Sequence, residues 1–388
     1  MSNTDRLITF VVPDFEPAVG GTVRQTGLQA RALAQRGHRV AVLTRRVDAS
    51  WPRHEWIDGL EIRRVGPTGT GRARGWLTVG AVALWLRRRR RVVGVVQTVM
   101  WANASVASML AGLRPRTAVL WAIDGEAATA LRGGSPARRG ISRVRRAVLA
   151  GCRHVALTAA MLDELRKAGV GDRADVIPVP VDTDHFRPPS SEERADARRE
   201  LGLAEDAFVV IYVGHLQARK ALDRLLEAFR RLLGEQPTAR LLVVGGEPGG
   251  EDDVGEELRK QASVPGLAGQ VSFCGVVEDP VRHLWASDIF VLPSSREGMP
   301  NSVLEALACG VAAVAPASAG GTQLLSGCGV VPPSNDPDDL LAALQALASD
   351  PERRAALGIE GRERVLEFDV DRVIDRYERL YAEMAGAA

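Results

Sequence analysis

Lysine is scarce in this chain: of 50 basic residues only Lys167, Lys220 and Lys260 are lysines. A lysine at a structural landmark therefore carries information that one more arginine would not. Cysteine is scarce as well. Cys152, Cys274, Cys309 and Cys328 form no C-x-x-C pair and keep no metal-ligand spacing with the six histidines. Neither structural zinc nor a disulfide framework is expected, and the thiols read as buried and free in a reducing compartment. No secretory signal is expected, since polar Met1 to Asp5 runs straight into a strand-like segment. Nor is a membrane span expected. Val92 to Leu113 carries no charge over 22 positions, yet Gln97, Thr98, Asn103, Ser105 and Ser108 interrupt it. It reads as a buried strand followed by a packed helix.

What is present suits a folded chain of two domains. At 388 residues, with 46% hydrophobic and 25% charged residues, it can bury a core and is not disordered. The net charge of +2 conceals a split. Residues 1–185 hold 29 Lys and Arg against 15 Asp and Glu, and residues 186–388 hold 21 against 33. The first half is thus basic by +14 and the second acidic by −12. A basic half suggests an anionic partner, and nucleic acid, an anionic lipid surface and a phosphorylated acceptor all fit that description.

The pattern alternates strand and helix. Leu7–Val12, Arg39–Thr44, Leu60–Val65, Val92–Met100 and Ala118–Ile123 read as strands, and Thr22–Arg36 as a helix with Gly37 at its C-cap. Prolines at 178, 180, 188 and 189 and the charged stretch Ser190–Glu200 mark a domain boundary. Alternation then resumes with strands at Phe208–Val213, Leu241–Val244, Val271–Phe273, Ile289–Leu292 and Val311–Ala315, and a helix at Ala221–Leu233. A last helix, Val370–Met384, follows. The expected fold class is α/β, with two Rossmann-like βα domains at 1–185 and 186–365 and a helical segment at 366–388. In such sheets ligands sit at the carboxyl ends of the strands, so a cleft between facing sheets is the expected site.

Two stretches carry chemistry. Pro293-Ser294 leads into Glu297-Gly298-Met299-Pro300-Asn301-Ser302 and on to Glu305-Ala306-Leu307-Ala308-Cys309-Gly310. This reads as strand, tight loop and helix start, where unpaired N–H groups and the helix dipole suit an anion such as a diphosphate. Ordinary explanations compete. Ser302 to Glu305 spells the capping box S-x-x-E, and Glu297 alone could be a solvated loop carboxylate. In the second stretch, Gly214-His215-Leu216-Gln217-Ala218-Arg219-Lys220 joins a strand to a helix. A cation there would neutralise a leaving diphosphate, although a solvated lysine at a helix start is the plainer reading. Gly20-Gly21, before the first helix, would let backbone approach a phosphate, or serve only as a turn.

Together these segments resemble the retaining glycosyltransferases of family 4, the group 1 glycosyl transferases. Members carry Glu-Gly-x-Pro-x(4)-Glu after Pro-Ser, then Glu-Ala-x-Ala-x-Gly and a Gly-Gly, matched here through Gly320-Gly321. The resemblance implies a GT-B fold with the C-terminal helix crossing back to the N-terminal domain, a nucleotide-diphosphate sugar as substrate, retention of configuration, no catalytic metal and no further cofactor. No Asp-x-Asp pair stands out as a metal site in its place. It implies that Glu305 holds the donor ribose and that Glu297 lies against the donor sugar. The backbone of Gly298, Met299, Pro300, Asn301 and Ser302 would meet sugar hydroxyls and phosphate. Lys220 matches the family's Gly-Arg-Leu-x(3)-Lys-Gly, with His215 in the Arg position and Ala221 in the last Gly position; either Arg219 or protonated His215 would supply the missing charge. Gly20-Gly21 resembles the loop that reaches the donor phosphates, and Val276 lies where the backbone recognises the base. Asp124 replaces the family histidine that touches the donor sugar. It could still accept hydrogen bonds from hydroxyls, or be an ordinary loop carboxylate. A sugar-nucleotide epimerase or phosphorylase shares the double fold, and a silent homologue that binds a sugar nucleotide or a partner enzyme is the other alternative.

Gly75-Trp76-Leu77 to Leu86, followed by Arg87 to Arg91, reads as an amphipathic helix with arginines at its negative dipole end, or as an interfacial helix with a basic tail. The expected partners are a nucleotide-sugar donor and a glycan, lipid-linked or small-molecule acceptor. An anionic membrane surface would meet the basic domain, and no nucleic acid is expected on the family resemblance. The expected location is the cytoplasm, peripheral at the inner membrane face.

Overall fold

A computed structural model describes residues 6–69, 72–99, 102–121, 147, 149–247, 252–317 and 321–386, with 72, 102, 103, 321 and 322 described by backbone alone. It divides into two compact units, Met1–Pro180 with Val370–Ala388, and Val181–Asp369.

The first unit contains β1 (Leu7–Val11), α1 (Gly21–Gln35), β2 (Val40–Arg45), β3 (His54–Ile57), β4 (Leu60–Val65) and α2 (Arg72–Arg89). It continues with β5 (Val93–Val99), α3 (Ala102–Leu110), β6 (Thr117–Trp121), β7 (Arg153–Ala156), α4 (Ala159–Lys167) and β8 (Ala174–Val176). The sheet order is β3-β4-β2-β1-β5-β6-β7-β8. Its neighbours are parallel except β3, which pairs antiparallel with β4. Every residue of β1, β5 and β6 is buried, as befits strands covered by helices on both faces. Strand direction from β1 reverses order here: β2 lies on one side of it and β5 on the other. Gly20-Gly21 thus opens α1 at the topological switch point of this sheet. The short strands β3, β7 and β8 had no sequence signal of their own; β3 alternates exposed and half-buried residues at the sheet edge.

The second unit contains α5 (Ser191–Glu200), β9 (Val209–Val213), α6 (Leu222–Leu232), β10 (Arg240–Val244), α7 (Gly255–Ala262), β11 (Val271–Gly275) and α8 (Val281–Ala286). β12 (Ile289–Val291), α9 (Asn301–Ala308), β13 (Ala312–Val314), α10 (Gly321–Leu325), α11 (Pro337–Ala348) and α12 (Pro351–Val365) complete it. All pairings are parallel, in the order β11-β10-β9-β12-β13. The charged stretch expected at the boundary is helix α5, capped by a reciprocal Ser190–Glu193 box. It is fastened inward: Arg194 and Arg198 each reach Asp288 at 2.8 Å, and Asp288 also accepts the Val209 N–H at 2.7 Å. The chain passes between units at Pro180–Val181, five residues before the expected 185, because the Val181 N–H bonds to Phe368 O at 2.9 Å within the second unit.

The last helix, α13 (Val370–Gly386), belongs to the first unit. It buries Val373, Ile374, Tyr377, Leu380, Tyr381 and Met384. Arg36 at the end of α1 pairs with Asp371 at 2.8 Å, Asp375 at 2.6 Å and Glu378 at 2.8 Å. The Tyr381 hydroxyl bonds to Gln97, which donates to Gln29 at 3.0 Å. All four cysteines are free, and burial pushes the Cys152 thiol up to about 11. No helix among the described residues is long and apolar enough to cross a membrane.

Candidate active site

In the second sheet β9 lies between β10 and β12, so the loops leaving the carboxyl ends of β9 and β12 flank the switch point. The β9 loop carries His215, then a 3-10 turn at Ala218–Lys220. Ala221 follows with φ of 51°, in the left-handed region, and opens α6. That conformation explains the glycine of the family pattern at this position, since only glycine takes it without a steric penalty. The β12 loop carries Ser294 to Pro300. The two loops are joined through one carbonyl: Arg219 O accepts Ser294 Oγ at 3.2 Å, Ser295 N–H at 2.9 Å and Ser295 Oγ at 2.9 Å. Asn335 steadies the root of the second loop by donating to Pro293 O at 2.9 Å, while Arg224 holds Asn335 Oδ1 at 2.6 Å. Sequence reasoning named Ser294 only as part of the Pro-Ser that closes β12, and it missed Asn335 and Arg224, which carry no motif.

This framework brings Lys220, Arg219 and Glu297 together. Lys220 Nζ is 2.5 Å from Glu297 Oε1, and Arg219 Nη1 is 3.1 Å from the same oxygen. Two cations sharing one carboxylate leave an excess positive charge, which suits a polyanionic ligand. Lys220 is buried. Desolvation lowers its pKa below the ordinary lysine value, and Glu297, through charge and hydrogen bond, opposes that shift. His215 is half-buried, and its pKa is pushed below 6.5 by desolvation first and by the Lys220 charge second. Burial and the Lys220 charge thus both work against the protonated His215 that would replace the family arginine. Arg219 is the cation in place. The Tyr212 hydroxyl, whose pKa burial raises, stays protonated and donates to His215 O at 2.8 Å.

Glu305 is buried at 6% exposure on α9. The capping box expected from Ser302 to Glu305 does not form. The N-cap is Pro300, no side chain caps the helix, and Glu305 sits more than one turn in. Asn301 and Ser302 instead begin the first turn, in which the Val303 N–H bonds to Pro300 O at 3.2 Å. Gly298, Met299 and Pro300 are buried beneath that turn. The β10 loop passes so close to the β9 loop that a Cβ on Gly245 would lie 1.9 Å from Gly214 O. Val276, just past β11, is exposed.

In the first unit, Gly20 is the extended N-cap of α1 and Gly21 its first residue. Arginines brace the preceding loop: Arg45 grips Asp14 at 2.9 Å, Arg31 grips Glu16 at 2.6 Å, and buried Arg64 donates to Glu16 O. Asp124 lies outside the described residues. Three Asp-x-Asp tripeptides occur, and each has a structural use. Asp182 of Asp182-Thr183-Asp184 accepts the His185 N–H at 2.9 Å, and Thr183 donates to Asp369 at 2.5 Å. Asp336 and Asp338 pair with Arg224 and Arg231, and Asp371 pairs with Arg36. Among the described residues no cluster of three His, Cys, Asp or Glu could hold a metal ion.

Two parallel-sheet Rossmann-like units, with a cation–carboxylate cluster at the switch point of the second, define the GT-B class of glycosyltransferase fold. The comparisons agree. Residues 193–364 match the family model of glycosyl transferases group 1, and residues 19–185 that of glycosyltransferase family 4. A D-inositol 3-phosphate glycosyltransferase of Kineococcus radiotolerans is 32% identical over 372 residues, covering 87% of this chain and 85% of that protein. The same-named protein of Geodermatophilus obscurus is 37% identical over 229 residues, 56% of this chain; the match spans about half of that relative, 49%. The sucrose-phosphate synthase structure from Thermosynechococcus elongatus superposes with a TM-score of 0.83 at 23% identity, covering 99% of this chain and 100% of that one. The chain belongs to glycosyltransferase family 4, the group 1 glycosyl transferases.

Proposed function

We propose that the chain transfers a sugar from a nucleotide-diphosphate sugar to an acceptor hydroxyl. The observation that carries this is the Lys220–Arg219–Glu297 cluster beside the first turn of α9. Charge accumulates on the departing diphosphate as the glycosidic bond breaks, so a fixed cation and aimed N–H groups favour the transition state over the ground state. Lys220 and Arg219 take that role, with Glu297 orienting them and facing the donor sugar. Glu305 is the ribose ligand, and Gly20-Gly21 the backbone contact to phosphate. Asp124 takes the place of the sugar-binding histidine, and the backbone at Val276 reads the base. Retention of configuration and independence of metal are part of the same reading. The acceptor falls to the basic unit. The relatives are named for an inositol phosphate, which makes phosphorylated or lipid-linked hydroxyl compounds the first class to try. The protein works in the cytoplasm, at the inner membrane face.

The test is a thermal-shift screen of nucleotide sugars, followed by donor consumption with and without inositol phosphate, with added chelator as a control. Consumption abolished by Glu297→Ala supports the proposal. Tight donor binding without turnover, unaffected by Glu297→Ala, would instead indicate a silent sugar-nucleotide binder.

A further inference from the structure

We propose that α2 is a docking helix that seats the first unit on an anionic lipid bilayer. Its inner face is conventional: Val79, Val82, Ala83 and Leu86 are buried against Leu7, Val11 and the neighbouring strands and helix. The outer face of such a helix is ordinarily polar. Here it is not. Trp76 is 58% exposed, Leu77 63% and Leu84 49%, and with exposed Gly80 they share one helical stripe at spacings of three and four residues. No acidic residue occurs in the helix.

The stripe ends in a basic collar. Of the five arginines from Arg87 to Arg91, Arg89 turns inward, 3.2 Å from Glu61 and stacked 4.3 Å over Trp85. Arg87, Arg88, Arg90 and Arg91 have no carboxylate partner among the described residues, and all four are exposed. An apolar stripe with a tryptophan, running into unpaired guanidinium groups, matches the layered chemistry of a bilayer surface, with acyl chains below and anionic headgroups above. Nucleic acid would engage the collar but leave the stripe without a role.

Placement adds a consequence. α2 follows β4 and returns to β5, so its Trp76 end lies at the carboxyl edge of the sheet, the edge where Gly20-Gly21 opens α1. The β4–α2 connection is tight: a Cβ on Gly66, whose φ is 85°, would meet the Thr78 side chain at 2.3 Å. With α2 flat in the headgroup layer, that edge runs beside the bilayer surface, within reach of a lipid-linked hydroxyl. Lipid docking itself is independent of glycosyl transfer, so its readout separates the two proposals.

The experiment is flotation of the full chain with vesicles of equimolar phosphatidylcholine and phosphatidylglycerol at low salt, beside pure phosphatidylcholine. Binding to the anionic vesicles is expected. It should fall roughly a hundredfold for Arg87→Gln/Arg88→Gln/Arg91→Gln, at about fivefold per guanidinium. A drop of at least about tenfold is expected for Trp76→Ala/Leu77→Ala/Leu84→Ala. These are surface changes, and unaltered circular dichroism and melting would show that the fold is kept. Absence of flotation, or flotation by both triple variants equal to that of the parent chain, overturns the proposal. So does a dimer in sedimentation that the apolar triple variant abolishes while flotation persists, because the stripe would then join two copies of the chain.

Discussion

Lys220 and Glu297 stand 77 positions apart in the chain and 2.5 Å apart in space. Lysine is rare here, and this one is the buried member of a cluster that a diphosphate would find electropositive. Replacing it tests the proposed chemistry directly. Lys220→Ala is expected to lower turnover by roughly two to three orders of magnitude, while nucleoside monophosphate binding weakens less than about tenfold, because the charge it meets grows in the transition state. Steady-state kinetics and titration calorimetry read the two quantities. Equal losses in both would remove Lys220 from the chemical step.

The same lysine sets a pH dependence. Burial lowers its pKa below the ordinary 10.5. In the window between the folded value and 10.5 the unfolded chain binds the extra proton, so stability from this group rises with pH there. Activity moves oppositely, since deprotonated Lys220 offers no charge. The alkaline limb of kcat/KM should therefore fall below pH 10.5 and move upward in Lys220→Arg. A limb unmoved by Lys220→Arg would assign it to another group.

Ala221 adopts φ of 51° at the junction between the Lys220 turn and α6. Ala221→Gly should raise stability by about 0.5–1 kcal/mol, the left-handed strain relieved less the added freedom of the unfolded glycine. A melting curve measures it, and a lowered midpoint would show that the strain is absent.

Gly245→Ala is expected to act in the other direction. Its new methyl would meet the Gly214 backbone at 1.9 Å, forcing apart the β9 and β10 loops. A loss of roughly 2 kcal/mol or more is expected from denaturant titration, with weaker nucleotide binding. A variant as stable as the parent would mean that the loops yield freely.

Much of this was legible in the sequence because it is local. Strands buried on both faces announce themselves as apolar runs, so β1, β5, β9 and β12 were read within about two residues. The cluster was readable because Lys220 and Glu297 each follow such a run. What escaped depends on partners distant in sequence. Asp288 gathers Arg194, Arg198 and the Val209 N–H, and nothing in Ser190–Glu200 distinguishes those arginines from solvated ones. The capping box at Ser302–Glu305 was a spelling without its geometry, because Pro300 already starts the helix. For His215 the residue type alone did not show that burial beside Lys220 disfavours its charged form.

The first unit is interrupted in sequence by the whole of the second. A ribosome makes Val181–Asp369 before it makes α13, so Arg36, His38 and Gln97 wait for Asp375, Glu378 and Tyr381 until that helix is translated. During synthesis the second unit has every element it needs before the first does. The first must keep the surface that α13 will cover unsatisfied for the longest time, so the order of completion runs against the order of the chain.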